Sequence, residues 1–539
     1  MSQKSFWEQM KGFPTFQLTL LCLLRLGEPL VFTSIFSYIF FMIQDFGVAK
    51  NTAEISTYAG YLSSTFAIFQ FLCCVQHAQA SNRFGRKPIL LFGVFGTAIS
   101  SIIFGFSQSF TMAMVARSLM GALNGNISVL RVAVGEIATE KKHQNIAFSV
   151  LATTWNVGAV IGPLIGSFHL FTRPKVRVEN YNEFVDKYPY AMSNIVLAGY
   201  LIFSMILGFL FLEEPSKEFK GRKDYGLETG NWILEKLGIK KTKIKEAEEE
   251  YQEEGEREVL LPAEEVYNSL EDDEEEVIDS TLVSGRYGQA ARRRYSSEQL
   301  GPVVSNNQLT TNVQQSYFSR EVWTGPVIQS VLSNFLLCFH SVLYSEFLPV
   351  LLASQLVRLE WPFTIAGGYG WSTEDIGKLL STTGIVGTSS VVLLFPFLDH
   401  HLRTITILRM SFVLIPFAYA SIPYFLFFKQ DYDPSNPSWL STFSIYSVAL
   451  LLSTVVSISF CVSMIMVHRS SAVPSHRAFI NGAGISLNSL ARGISPILFG
   501  HFMTWCNEND VGGIPWLVLG IMALICLIQS FFMDEYDEI

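Results

Sequence analysis

The sequence predicts an all-α membrane protein: about twelve transmembrane helices in two pseudo-symmetric six-helix bundles, with both termini cytoplasmic. Three observations lead there. Of 539 residues, 49% are hydrophobic, only 16% are charged and 44 are Phe, and the mean hydropathy is +0.31, so much of the apolar surface must face lipid. Apolar stretches of roughly 20–25 residues recur along the chain, each long enough to cross a bilayer. One acidic, apolar-poor segment interrupts them near the middle.

In the first half the stretches are Phe16–Ile43, Ser56–Gln76, Pro88–Gln108, Phe110–Ala133, Gln144–Phe171 and Ala191–Leu212. In the second they are Val327–Ser354, Ile376–Leu398, Thr404–Phe428, Ser441–Val467, Ala478–Trp505 and Gly513–Met533. Lys and Arg in short loops set the orientation. Arg83, Arg86 and Lys87, then Lys141 and Lys142, Arg403, and Arg469 with Arg477 lie in loops of one side, which is therefore cytoplasmic. The loop with Arg173, Lys175, Arg177 and Lys187 runs against this; Glu179, Glu183 and Asp186 partly offset it, and the other loops outvote it. Residues 1–15 are polar and the apolar run from Phe16 is too long for a signal peptide, so no cleavable signal is expected.

Residues 213–325 read as an acidic, mainly disordered cytoplasmic loop between the bundles 1–212 and 326–539, with a short helix near Asn231–Leu237. The run Glu271-Asp272-Asp273-Glu274-Glu275-Glu276 holds part of its charge. Arg292-Arg293-Arg294-Tyr295-Ser296-Ser297 looks like a site for basic-directed kinases, and Ser269 precedes the acidic run, so Ser269, Ser296 and Ser297 are candidate phosphosites. Glu256-x-x-x-Leu260-Leu261 resembles an acidic dileucine sorting signal, which favours a vacuolar over a plasma membrane. Kinase and sorting-adaptor contacts are expected on this loop.

Weak echoes link the halves. Ala59-Gly60-Tyr61-Leu62 parallels Ile376-Gly377-Lys378-Leu379, and Gly162-Pro163-x-x-Gly166 parallels Ser495-Pro496-x-x-x-Gly500, in the same order. Polar groups inside apolar stretches mark a solute path, because hydrocarbon penalises them. Arg117, Gly121, Asn124, Ser128 and Arg131 step by four, three, four and three, which puts them on one face of a single helix. Asn481, Gly484, Asn488, Arg492 and Ser495 repeat the pattern in the second half. Gly158, Gly162 and Gly166 let two helix backbones touch, and Pro163 bends their helix. Glu28 and Arg117 fall at similar depth, roughly 18 Å and 10 Å from opposite helix ends, so a Glu28–Arg117 pair is expected, with Arg25 one turn away as the static alternative. His340 is a second titratable candidate near mid-membrane, and Asn156 and Trp155 are candidate cavity residues; Glu346 lies nearer the outer mouth.

Asn82-Arg83-Phe84-Gly85-Arg86-Lys87-Pro88 resembles the signature that follows the second helix of the major facilitator superfamily, with Asn82 where that signature has Asp. Gly158-x-x-x-Gly162-Pro163-x-x-Gly166 resembles the motif of the superfamily's proton antiporters, with Ser167 where the final Gly is usual. With Leu24-Arg25-Leu26-Gly27-Glu28-Pro29 and Gly121-Ala122-Leu123-Asn124-Gly125, the chain resembles the drug:proton antiporter branch and the zinc-induced facilitator-like proteins. The resemblance implies the major facilitator fold and proton-coupled antiport of a small organic molecule by a monomer. It further implies that Asn82, Arg83, Gly85, Arg86 and Lys87, helped by Asp399, latch the cytoplasmic side, and that Gly158, Gly162, Pro163 and Gly166 form a gating helix. Glu28, Arg117, Asn124, Asn156, His340, Asn488 and Arg492 are the expected central site. A symporter or facilitator on the same fold and a non-transporting membrane sensor are the competing readings. An enzyme or pump is not expected, since no Gly-x-x-x-x-Gly-Lys-Ser/Thr loop is present. Nor is a metal or other cofactor: the adjacent pair His400-His401 lacks chelating spacing, and the seven cysteines lack CxxC spacing. The few charges suggest a cavity suited to amphipathic or weakly cationic molecules.

Overall fold

The computed structural model describes residues 12–138, 141–168, 184, 187–216, 218–219, 222–236, 322–428, 439–470 and 474–534. Ser269, Ser296, Ser297 and the Glu256–Leu261 signal lie outside the described residues. The described residues up to Glu228 and those from Val322 onward together form one compact unit.

The first bundle begins with α1 (Thr15–Ser34), which passes through a 3₁₀ turn at Ile35–Ser37 into α2 (Ile39–Asp45). Next come α3 (Ile55–Phe84), α4 (Arg86–Gly105), the two-part pass α5 (Phe110–Leu123) and α6 (Ile127–Ile137), α7 (Lys141–Ser167) and α8 (Ala191–Phe211). The short α9 (Tyr225–Lys236) follows, starting earlier than its composition suggests. The second bundle holds α10 (Gly325–Ala353), a hairpin of β1 (Arg358–Glu360) and β2 (Thr364–Ala366), and α11 (Thr373–Ser389), which runs through a π segment at Ser390–Leu394 into α12 (Phe395–His401). It ends with α13 (Thr404–Ser421) and its 3₁₀ extension Ile422–Phe428, α14 (Trp439–Arg469), α15 (Pro474–Glu508) and α16 (Ile514–Ser530). Counted as passes among the described residues, each bundle has six. Eight described helical runs are long and apolar enough to cross a membrane. Of the other passes, α5/α6 is interrupted, α16 has 17 residues, α15 is more polar, and the side chains of α7 are only partly among those described.

Local chemistry sets the boundaries. Gly85 takes φ +104°, a region costly for other residues, and separates α3 from α4. Ser109 and Ser372 cap α5 and α11 by accepting from the backbone N–H of Met112 and Asp375, both at 3.3 Å. Pro396 has no N–H to return to Val392, and the helix widens to π geometry just before it.

The fourth pass departs from the expectation of one helix from Phe110 to Ala133. Its backbone leaves the helix at Asn124 and restarts at Ile127. Glycine and asparagine are poor helix formers, and Gly121, Asn124, Gly125 and Asn126 cluster here. Packing fixes the break: Leu123 and Asn126 cover Gly93 and Gly96 of α4, while Gly125 lies against Cys73 and His77 of α3. The five-residue polar stripe is therefore not one helical face.

Fully buried Trp516, Tyr38, Tyr419, Phe66, Phe104, Phe347 and Phe412 centre the cores. Phe92, Phe203, Leu393, Phe417 and Leu498 point outward, as an apolar solvent requires. The bundles meet along two helix pairs that the repeat relates, α3 with α15 and α11 with α7. At one end the seam is shut: Asn51 bonds Glu508 at 3.2 Å, Thr57 bonds Thr504 at 2.7 Å and Tyr61 bonds His501 at 2.7 Å. Beyond Gln70 the same helices part. Leu72 and Val75 are more than half exposed, and the exposed Gly482 of α15 faces open space. The open end carries Arg83, Arg86 and Lys87, the side the basic loops assign to the cytoplasm.

Candidate functional site at the seam between the bundles

Glu28, mid-way along α1, is 5% exposed. Arg25 sits three residues earlier, one turn away on the same face, and the two form a buried ion pair. Gln70 of α3 donates from Nε2 to Glu28 Oε1 at 2.8 Å and to the Asn124 carbonyl at 3.3 Å. Its Oε1 accepts from Arg492 of α15 at 3.3 Å. The guanidinium of Arg492 lies over Phe32 and Trp155, at 5.8 and 5.9 Å, and that of Arg25 lies 5.2 Å from Trp155. A continuous polar chain, Arg25–Glu28–Gln70–Arg492, thus crosses the seam. A pocket beside it is lined by Leu24, Leu90, Val94, Thr97, Asn124 and Leu201.

The expected Glu28–Arg117 pair does not form. Arg25 reaches Glu28 within its own helix, so no movement of another helix is needed. Arg117, 1% exposed, instead lies among Phe66, Phe104 and Phe32 at 5.0, 5.8 and 6.0 Å, and donates to the Leu62 carbonyl at 3.5 Å. Its Nη2 has no hydrogen-bond partner. The carboxylate facing it is Glu346 of α10, with Ser63 alongside and Arg492 also within Coulomb reach. Glu346 is 4% exposed and neither of its oxygens has a geometrically sound hydrogen bond. The sequence ranks Glu346 low because depth along its helix was the sole criterion; its position at the seam comes from the packing of α10.

His340 is fully buried and points into its own bundle, where Nδ1 lies 3.1 Å from the Tyr419 hydroxyl. The structure thus gives it the surroundings of a packed core residue, not a seam residue. Asn488 donates to Asn334 at 2.6 Å within the second bundle. Asn124 caps the end of α5, and Asn156 is half-buried on α7. Gln70 was not singled out from the sequence; the signal was an uncharged amide between Phe69 and Phe71 in an apolar run.

The basic motif folds into a clasp. Arg86 makes a forked pair with Glu136 at 2.9 and 3.2 Å and donates to Asn82 Oδ1 at 2.6 Å. Glu214, just past α8, accepts from the backbone N–H of Arg86 at 2.7 Å and of Lys87 at 3.0 Å, so an acid from elsewhere in the chain caps the start of α4. Lys87, 5% exposed, pairs with Asp224 at 2.6 Å. Asp399 takes no part: it is exposed and has no hydrogen bond or ion pair among the described residues. Two of the acids that join the clasp, Glu214 and Asp224, come from the first stretch of the inter-bundle segment, whose local sequence reads only as polar loop; the third, Glu136, lies on α6. Arg83 is exposed beside Phe84.

The small face of α7 lies on α1. Gly158 touches Pro29, Gly162 touches Thr33 and the Leu30 carbonyl, and Gly166 touches the Ser34 backbone. Ser37 donates to the Pro163 carbonyl at 3.0 Å. Ser167, where the resemblance leads one to expect glycine, packs its side chain onto Gly377 of α11 across the seam. The small residue needed for close approach has moved to the partner helix. Among the described residues no group of three His, Cys, Asp or Glu is placed to hold a metal ion.

Comparison with known proteins agrees with this architecture. A multidrug transporter of Aspergillus fumigatus, mfsB, is 31% identical over 98% of this chain and 85% of its own length. Protein ZINC INDUCED FACILITATOR 1 of Arabidopsis thaliana is 25% identical over 97% of this chain and 93% of its own. The crystal structure of a D-xylose–proton symporter superposes with a TM-score of 0.60 at 11% identity, covering 99% of each chain, a likeness of fold alone. The family model of the Major Facilitator Superfamily matches residues 21–496, and with twelve passes in two bundles around a charged seam, the chain belongs to that superfamily and is a multi-pass membrane transporter, not an enzyme.

Proposed function

We propose that the chain exchanges protons for a small organic molecule across its membrane by alternating access. The observation that carries this reading is the chain Arg25–Glu28–Gln70–Arg492. It links a carboxylate of the first bundle to a guanidinium of the second. Rocking the bundles apart at this level must break the Gln70–Arg492 bond, and protonating Glu28 removes the charge that orients Gln70 and Arg25. Proton state and bundle arrangement are therefore coupled through one amide. Glu28, Gln70 and Arg492 form the centre of this site. Arg117, Asn124, Asn156 and Asn488 support it, and His340 acts as a packing residue.

Asn82, Gly85, Arg86 and Lys87 form the cytoplasmic clasp, with Arg83 exposed beside it, and the Gly158–Gly166 face of α7 slides on α1 during gating. The multidrug transporter among the relatives supports an organic cargo; movement out of the cytoplasm by a monomer is part of the same proposal. A vacuolar membrane, and kinase and adaptor contacts on the acidic segment 213–325, complete the reading. The test is uptake into proteoliposomes under an imposed pH gradient, with candidate cargo found by comparing metabolites of cells with and without the protein. Glu28→Gln is expected to abolish gradient-driven uptake while retaining downhill exchange. Full gradient-driven uptake in that variant would overturn the coupling role.

A further inference from the structure

The charge lining the site is unbalanced. Arg25, Arg131 and Arg492 lie within Coulomb reach of one another. Glu28, the carboxylate bonded among them, is already committed to Arg25. Arg492 has neutral hydrogen-bond partners, Gln70 at 3.3 Å and Ser489 at 3.5 Å, together with two aromatic faces. Arg131 on α6 is half-buried and has no hydrogen bond or ion pair among the described residues. Glu346 is shared with Arg117, deeper at the shut end.

Holding like charges together in a sheltered cleft is costly unless an anion joins them. Guanidinium groups offer planar, forked donors suited to carboxylate, sulfonate or phosphate oxygens. Trp155, half-buried beneath Arg25 and Arg492, offers a flat apolar surface, with the buried ring of Phe32 beside it. The cleft is open on the side of the basic loops, so a solute has a route in.

From this juxtaposition we infer that the transported molecule is a small organic anion with an aromatic or flat apolar body, its acidic group received by Arg131 and Arg492 and its body resting on Trp155 and Phe32. This rests on the carrier reading of the site; it keeps the amphipathic cargo that the sparse charges of the sequence suggest but replaces a weakly cationic headgroup with an anionic one.

Three probes with one ring system separate the alternatives: naphthalene-2-sulfonate, neutral naphthalene-2-sulfonamide and (2-naphthylmethyl)trimethylammonium. Each is added to the purified full chain, and thermal unfolding is followed. The anion is expected to raise the midpoint, with at least tenfold weaker effects from the other two. Arg492→Gln and Arg131→Gln are expected to remove the anion's effect while eluting as the wild type does. An effect of the cation equal to or above that of the anion, no effect of the anion at millimolar concentration, or an undiminished anion effect in both variants would each overturn the inference. Flux of the same probes in proteoliposomes keeps the two readings apart. Anion binding without flux counts against the carrier reading alone, whereas flux of the cation counts against the anion inference alone.

Discussion

Gln70 and Arg492 touch across the seam at 3.3 Å, and toward the end that carries Arg83, Arg86 and Lys87 the two bundles diverge. A neutral amide holds this position, although charged groups lie on both sides of it. An amide can donate to Glu28 and accept from Arg492 at once, which neither a carboxylate nor an ammonium can do. Gln70→Ala removes both bonds. Hydrogen bonds to charged groups contribute about 1.5–3 kcal/mol, so gradient-driven transport is expected to fall by roughly tenfold or more. Unchanged uptake in Gln70→Ala would separate the bridge from the transport cycle.

The shut end depends on the lack of side chains at Gly60 and Gly377. A β-carbon at Gly60 would meet the Pro496 carbonyl, and one at Gly377 would meet Ser167. Neither neighbour is the loose end of a long side chain, so neither yields without moving a helix. Gly377→Leu is expected to wedge α11 from α7 and shift the population toward the arrangement open at this end. Spin labels at Lys50 and Asn509, both exposed there, would report a longer distance. Gly377→Leu with Ser167→Gly should restore part of the original distance. A distance unchanged by Gly377→Leu would show that this contact does not set the shut end.

Glu214 is expected to matter more to the clasp than Asn82. It accepts from the backbone N–H of Arg86 and Lys87, and from Ser216 at 3.3 Å. Glu214→Ala orphans donors at the start of α4 and is expected to cost about 1–3 kcal/mol. Asn82→Asp adds a charge beside Arg86, which Glu136 already engages, and is expected to stabilise by no more than about 1 kcal/mol. Thermal unfolding of both variants tests the ranking, and a larger effect at Asn82 would reverse it.

The pattern of passes was legible because lipid forces apolar length, and length is written directly in the sequence. Glycines at spacing four were legible for a similar reason: they can be counted along one helix, and Gly158, Gly162 and Gly166 do lie on α1. What depends on two distant segments was not legible. Glu214 reaches α4 from the far side of α8, and Gln70 is one amide in an apolar run until α15 brings Arg492 to it. Glu28 was found by its penalty in hydrocarbon, but its partner was misassigned. Similar depth does not imply contact, and Arg25 was nearer along the chain. The interruption at Asn124 was missed because periodic spacing counts residues through a break as readily as through a helix.

Arg117 and Glu346 offer a test of how the buried charges support each other. They belong to different bundles, lie within Coulomb reach of one another without forming a direct ion pair, and neither is fully hydrogen-bonded. Removing one partner of such a pair leaves the other without its counter-charge in a sheltered site, which is more damaging than removing both. Arg117→Met and Glu346→Met are each expected to lower the thermal midpoint strongly. The double variant is expected to recover part of the loss, with a coupling of roughly 1–3 kcal/mol. Because the pair spans the seam near the shut end, the single variants should also change the Lys50–Asn509 label distance more than the double variant does. If the single effects simply add, in both stability and distance, Arg117 is held by the rings of Phe66, Phe104 and Phe32 and by the Leu62 carbonyl, and Glu346 acts independently of it.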